Sequence, residues 1–223
     1  MTNSKSMIKQ IAEKLLGHSL ASNDGYDVAI IENVETKLGQ AIPAILKEFY
    51  LTIGKTDLFM SSFQRFLKPE DLFYEDGKLV FLEENQNVCY WGVNTENKED
   101  NPLVYQAQNM DSANWYSEEI LLSDFLQMMM YGQCAEGGYE FSGAIYDMDQ
   151  DELPEFIEEI TTNNWQKVVD HNNWIIYEND RKLIWYFTDD NGDLSEDYPV
   201  FASTETKEGF LEMEENFGFL DLD

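Results

Sequence analysis

"LVFLEENQNVCYWGVN", residues 79–94, contains the pattern that decides the fold. Two apolar runs, at residues 79–82 and 88–93, are separated by a short polar stretch. Short apolar runs joined by a polar bend are typical of a β-hairpin. The bend carries two carboxylates and two amides: Glu83, Glu84, Asn85 and Gln86. Because the chain is already acidic, the hairpin raises the question of whether these groups serve the fold or a partner.

Further elements are expected on either side of the hairpin. "DNPLVYQ" (residues 100–106) predicts a third strand, and "SEEILLSDFLQMMMYG" (residues 117–132) predicts a helix with apolar side chains at helical spacing. Upstream, "AIPAILKEFYLTIG" predicts a helix over residues 43–51 that begins with a proline. The apolar positions within residues 1–19 are interrupted by lysines, which favours an amphipathic helix over a signal peptide.

The second part of the chain repeats this mixture of elements. "DELPEFIEEITTNN" predicts a helix, and "NWIIYEN", "KLIWYFT" and "YPVFAST" predict strands. "STETKEGFLEMEENFGF" predicts a closing helix, capped by Thr204 and with Glu205 at its positive end. Helices that bracket clusters of strands define the fold class as α+β, with an antiparallel sheet flanked by helices.

Charge is the most informative property of the composition. The chain has 44 acidic and 14 basic residues, a net charge of -30, and residues 135–223 hold 24 of the acids and only 4 of the bases. Such a surface repels nucleic acid and anionic membranes and attracts a basic protein. The alternative is a solvated acidic surface that only keeps the protein in solution.

Other features narrow the class of protein. Cys89 and Cys134 are too few for a disulfide framework in 223 residues, so two reduced thiols are expected. No apolar run approaches the roughly 18 residues of a membrane-spanning helix. These features predict a cytoplasmic protein. Its 43% of hydrophobic residues are enough to bury a core.

Five motifs in order resemble the SMI1/KNR4 family of the SUKH superfamily. They are "LGQAIPAILKEFYLTIG", "FLKPEDL", the hairpin, "DNPLVYQ", and Trp115 followed by "LLSDFLQMMM". The resemblance covers residues 38–130 and makes residues 1–134 an SMI1/KNR4-like core. Residues 135–223 are then an acidic strand-and-helix extension that either completes this domain or packs on it as a second layer. The chain departs from the family at the bend, where many members have a glycine-containing turn.

The resemblance implies binding rather than catalysis. Bacterial members are similar to immunity proteins that neutralise polymorphic toxins, often nucleases, and this implies a bacterial immunity protein with a basic protein partner and no cofactor. Fungal relatives are regulators linked to cell-wall glucan synthesis, so the alternative is a regulatory or scaffolding adaptor that binds protein partners.

The hairpin gives the first candidate interface, because aromatic anchors within a polar rim are the usual anatomy of a binding surface. The alternative is a solvated bend with Trp91 buried in the core. The candidate partner-binding residues are Glu83, Glu84, Asn85, Gln86, Tyr90, Trp91, Asp100 and Trp115.

Two acidic stretches partly resemble ion sites. In "DMDQDELPEFIE" the acids Asp147, Asp149, Asp151 and Glu158 occupy places one, three, five and twelve of an EF-hand-like loop. Glu152 stands where the loop needs glycine, which favours acids that precede and cap a helix over a calcium site. "TDDNGDLSED" predicts a hairpin turn before it predicts an ion site. The sequence therefore predicts no metal.

Catalysis finds little support in the sequence. His18 and His171 lie in no motif that supplies a nucleophile, and both are interpreted as surface histidines. Cys89 and Cys134 have no histidine nearby in sequence, which favours buried or incidental thiols. A hydrolase that uses two carboxylates stays open as an alternative, since 44 acids always offer pairs.

Overall fold

A computed structural model describes residues 6–109 and 113–222. The chain divides into two compact units, Met1–Gln133 and Cys134–Asp223, a boundary one residue before the predicted one. Within the described residues no helix is both long and apolar enough to cross a membrane.

The first unit combines helices with a six-stranded antiparallel sheet. The helices are α1 (Met7–Leu16), α2 (Val28–Leu38), α3 (Ala44–Ile53), α4 (Asp57–Met60) and α5 (Leu122–Gln133). The strands are β1 (Arg65–Phe66), β2 (Phe73–Glu75), β3 (Lys78–Glu83), β4 (Cys89–Asn94), β5 (Leu103–Gln108) and β6 (Tyr116–Leu121). They are arranged in the order β1-β3-β4-β5-β6, and β2 also pairs with β3.

The predicted hairpin is the centre of this sheet, because β3 and β4 pair with each other and with β1, β2 and β5. One sheet face packs against helices through aromatic rings. The ring of Phe81 lies 5.9 Å from that of Phe125 on α5, and the ring of Phe66 lies 4.7 Å from that of Phe49 on α3. These large buried rings supply much of the hydrophobic stabilisation of the unit.

The short elements α4, β1 and β2 have no predicted counterpart, and two longer stretches of the first unit also differ from the sequence predictions. The predicted helix over residues 117–132 begins only at Leu122, because residues before it form β6 and pair with the edge of β5. Helix α2 has no predicted counterpart. Its β-branched residues Val28, Ile31 and Val34 are weak helix formers, but Ile31 and Val34 are buried, and packing outweighs propensity.

The second unit is a six-stranded antiparallel sheet with two α-helices among the described residues. It begins with a π-helical turn at Cys134–Gly138. Its further elements are β7 (Phe141–Ile145), α6 (Leu153–Thr162), β8 (Gln166–His171), β9 (Trp174–Asn179), β10 (Lys182–Phe187), β11 (Val200–Thr204), α7 (Lys207–Phe217) and β12 (Leu220–Asp221). The strands are arranged in the order β12-β7-β11-β10-β9-β8.

The central strands β9, β10 and β11 of this sheet are buried on both faces. Tyr177 and Ile184 belong to a buried cluster with residues of α6 and α7. On the other face the rings of Trp185 and Phe201 are stacked with centroids 4.2 Å apart. Consecutive residues of β9 are buried for this reason, and its sequence is apolar without alternation.

The closing helix is predicted correctly, but its predicted cap is wrong. Thr204 ends β11 opposite Phe141 and is buried, whereas the hydroxyl of Thr206 accepts a hydrogen bond from the Gly209 N–H and caps α7. Glu205 pairs with Arg181 at 2.5 Å. The fold is α+β with antiparallel sheets and flanking helices, as the sequence predicts, and the SMI1/KNR4-like assignment stays a prediction.

Candidate functional site

The bend between β3 and β4 is held by its own carboxylates. Oε2 of Glu84 accepts hydrogen bonds from the N–H groups of Gln86 at 2.8 Å and Val88 at 3.1 Å. The N–H of Glu84 donates to the carbonyl of Cys89 at 3.0 Å. The side chain of Glu84 therefore satisfies backbone donors that the turn leaves unpaired, whereas Asn87 adopts the positive φ, 63°, that glycine supplies in other turns.

The neighbouring groups of the bend are also engaged by the chain. Oε2 of Glu83 lies 3.8 Å from the guanidinium of Arg65, which also donates to the carbonyl of Glu84. The N–H of Asn85 donates to Oε1 of Gln64 at 2.8 Å. Of the four predicted bend residues only Gln86 is exposed, so the carboxylates serve the turn first.

The two predicted aromatic anchors are buried, which corrects their expected place beside the bend. Tyr90 and Trp91 are 6% and 7% exposed, and as consecutive strand residues they lie on opposite faces. Tyr90 packs with Val80 and Ala107, whereas Trp91 contacts Phe125 of α5. Their burial removes both rings from the surface that a partner meets.

The last two predicted site residues lie apart from each other. The ring of Trp115 is 5.2 Å from that of Tyr90, and its half-buried side chain covers Gly92, where a Cβ would stand 2.9 Å from the indole. Its Nε1 is buried and has no hydrogen-bond partner among the described residues. Asp100 is exposed in the connection between β4 and β5, at the far end of β4 from the bend.

The two acidic stretches that resemble ion sites lie in the second unit. The first is an exposed loop that leads into α6, where Glu158 lies, and the second is an exposed loop between β10 and β11. Oδ1 of Asp189 accepts from the N–H groups of Asn191 at 2.8 Å and Asp193 at 2.9 Å, and these bonds hold the pKa of Asp189 below its ordinary value. This side chain closes the turn of "TDDNGDLSED". Across the described residues no group of three or more His, Cys, Asp or Glu side chains is arranged to hold a metal ion.

Burial favours the neutral forms of both cysteine thiols and of one glutamate in the described chain. Burial raises the pKa of the Cys134 thiol and, more weakly, that of Cys89. Burial also raises the pKa of Glu136, in the π-helical turn, to about 7. Neither thiol is activated as a nucleophile, because the thiolate is the reactive form.

Surface residues that the sequence analysis missed lie beside the acidic loops. Tyr146 and Tyr198 are 59% and 52% exposed, and each stands next to an acidic residue in sequence, Asp147 and Asp197. The signal was the pairing of a tyrosine with each acidic turn, in "YDMDQ" and "SEDYP". Exposed aromatics with flanking charges are typical of binding surfaces.

Comparisons with known proteins found no relative of this chain. No protein-family model matches it, and neither a curated protein nor a solved structure matches.

Proposed function

We propose that this protein is a non-enzymatic, cytoplasmic immunity protein of the SMI1/KNR4 (SUKH) type, which binds and neutralises a cationic toxin domain. The toxin is expected to be a nuclease. The observation that carries the proposal is the charge of the second unit, whose residues 135–223 hold 24 acidic and 4 basic residues.

The basic residues of the second unit do little to offset this charge. Lys167 pairs with Asp170 at 2.6 Å, and Lys182 pairs with Glu212 at 2.8 Å. With the pair between Arg181 and Glu205, three of the four bases each bind one acid. Most of the acids are left to create a negative field around the unit, and such a field accelerates association with a positive partner.

A nuclease is the partner that such a surface suits. Enzymes that bind nucleic acid present Lys and Arg to the phosphate backbone, and this contact dominates their affinity. A protein surface lined with carboxylates offers negative charge, as the phosphate backbone does, to the same Lys and Arg residues of the enzyme. Binding there covers the surface that the toxin uses for its substrate.

Co-expression tests the proposal. The product of the neighbouring gene, expected to be toxic, is expressed in cells with and without this protein, and survival is scored. A variant with a stop codon near the start of the coding sequence is the control for expression load. We expect survival only with the intact protein and recovery of one tight basic partner.

If this protein does not rescue cells from the product of any adjacent gene, the immunity function is contradicted. Recovery of several weak partners in an untargeted pull-down then favours the adaptor. Turnover that disappears on mutation of a single carboxylate contradicts the non-enzymatic assignment.

A further inference from the structure

A groove with a volume of about 600 Å³ lies between two loops of the second unit. One loop follows β7 and the other precedes β11, and the pairing of Ile145 with Val200 brings them together. Met148 and Leu194 line the groove and pack against the hydrophobic core. The groove therefore has an apolar floor that is continuous with the interior.

A side-chain bridge fixes the two loops relative to each other. Nε2 of Gln150 donates to Oδ1 of Asp193 at 3.0 Å, and Oε1 of Gln150 accepts from the N–H of Leu194 at 2.5 Å. The bonds from Asn191 and Asp193 to Asp189 fix the second loop internally. A groove held in this way loses little conformational entropy when a ligand binds.

The loops carry charge of one sign only. Residues 145–152 and 188–199 contain nine acidic residues and no lysine or arginine. All nine are exposed, and four of them line the groove with Asp189: Asp149, Asp193, Glu196 and Asp197. An anionic ligand is excluded by this lining, and a cationic one is attracted.

Two exposed tyrosines extend the groove at one end. Tyr146 and Tyr198 line an adjoining depression of about 230 Å³ that shares Met148 and Leu194 with the groove. Phenol rings bind ammonium and guanidinium groups over their faces. Apolar floors likewise suit the aliphatic stems of Lys and Arg, whose charged heads reach outward to carboxylates.

We propose that this groove is the docking site for a lysine- and arginine-rich segment of a protein partner. The charge of the walls, the apolar floor and the exposed rings each match one part of such side chains. The inference rests on the proposed function and names the surface that performs it. The proposed interface is therefore formed by the loops of the second unit. It is not the bend of the first unit, where the carboxylates close the turn.

The test compares two variants of equal charge. The groove variant is Asp149→Asn, Glu196→Gln and Asp197→Asn, and the matched control is Glu158→Gln, Glu214→Gln and Glu215→Gln, on exposed positions of α6 and α7. The probe is a fluorescein-labelled decapeptide of alternating lysine and glycine, titrated by anisotropy at low salt. We expect the groove variant to bind about tenfold more weakly and the control within about twofold of wild type.

A second variant tests the rings without changing charge. Tyr146→Ala with Tyr198→Ala is expected to weaken probe binding about fivefold. Urea unfolding midpoints show whether each variant is folded before binding is compared. If the groove and control variants weaken probe binding equally, the inference is overturned, because overall charge then explains binding. An unchanged affinity of the tyrosine variant also overturns it.

The same variants separate this inference from the proposed function. If wild type rescues cells from the toxin and the groove variant rescues equally well, the groove is not the interface although the immunity function stands. If wild type does not rescue, the immunity function fails, and the peptide titration still decides whether the groove binds basic segments.

Discussion

Nε1 of Trp91 donates a hydrogen bond to Oε1 of Glu118 at 2.9 Å, which ties the central strand β4 to the edge strand β6. Trp91 is thus a structural residue rather than a surface anchor. We expect Trp91→Phe to lower the free energy of unfolding by about 2 kcal/mol, because it removes a partly buried hydrogen bond and leaves a small cavity. Partner affinity should stay within about twofold of wild type.

Urea unfolding and a binding titration measure both quantities. Tyr116→Phe is the matched control, since Tyr116 is 49% exposed, and a surface change of this kind should cost less than about 0.5 kcal/mol. If Trp91→Phe greatly weakened partner binding without lowering the free energy of unfolding, Trp91 would be a residue of the interface.

Gln133 holds the loop after α4 through a fully bonded side-chain amide. Its Oε1 accepts from the N–H groups of Phe63 and Gln64 at 2.7 and 2.9 Å, and its Nε2 donates to the carbonyls of Phe59 and Gln64 at 3.1 and 2.7 Å. Gln133→Leu leaves these groups unpaired in a buried site, so we expect a loss of about 3 kcal/mol in the free energy of unfolding.

The control for Gln133→Leu is Gln86→Ala at an exposed position, expected to change stability by less than about 0.5 kcal/mol. Chemical denaturation compares the two. Equal midpoints would mean that the loop finds other partners and that the amide does not hold it.

Glu84 is expected to matter more to the hairpin than Glu83, although the two are adjacent. Glu84→Ala removes the acceptor of two backbone N–H groups and should cost about 1–2 kcal/mol. Glu83→Ala breaks only a partly exposed pair with Arg65 and should cost less than about 1 kcal/mol. Hydrogen exchange at the Gln86 and Val88 amides should accelerate only in the first variant.

The reverse result would support the bend as an interface. If Glu84→Ala leaves both stability and exchange unchanged but weakens partner binding, the carboxylate faces a partner and the bonds within the turn are incidental.

Glu136 predicts a pH dependence of stability. Burial raises the pKa of Glu136 from its ordinary value of 4.5 to about 7, so between these pH values the folded state retains a proton that the unfolded chain has released. The stabilisation is complete below pH 4.5 and is lost as the pH rises through about 7, an effect of about 3 kcal/mol. Glu136→Gln should therefore be more stable than wild type at pH 8 and similar at pH 4.5.

Urea unfolding at the two pH values measures this difference. Glu140→Gln, an exposed position with the same change of charge, controls for relief of general repulsion. If both variants gain equally at pH 8, general repulsion rather than burial of Glu136 is the cause.

Elements that a local sequence pattern marks could be predicted, whereas elements that depend on tertiary pairing or burial could not. The hairpin and the strands β9 and β10 follow from apolar runs separated by turn residues, and both are where the sequence places them. The strand β6 was missed because its backbone partners lie on β5, which no local pattern reports. Helix α2 was missed because burial of Ile31 and Val34, not propensity, favours it.

The candidate site follows the same division. Each acidic loop is visible in the sequence, but the loops are separated by more than thirty residues and meet only because β7 pairs with β11. Local pattern could not predict the orientations of Tyr90 and Trp91 either, because the central strands β3 and β4 are buried on both faces and do not alternate between apolar and polar residues. Burial on two faces removes the alternation that would have told them apart.

The dependence of association rate on ionic strength tests the central claim most directly. Stopped-flow mixing of this protein with the neighbouring gene's product, between about 50 and 500 mM salt, measures the rate constant. Electrostatic attraction between an acidic surface and a cationic partner predicts a fall of about tenfold or more over this range. A rate constant that stays the same as salt increases would contradict recognition through the acidic surface.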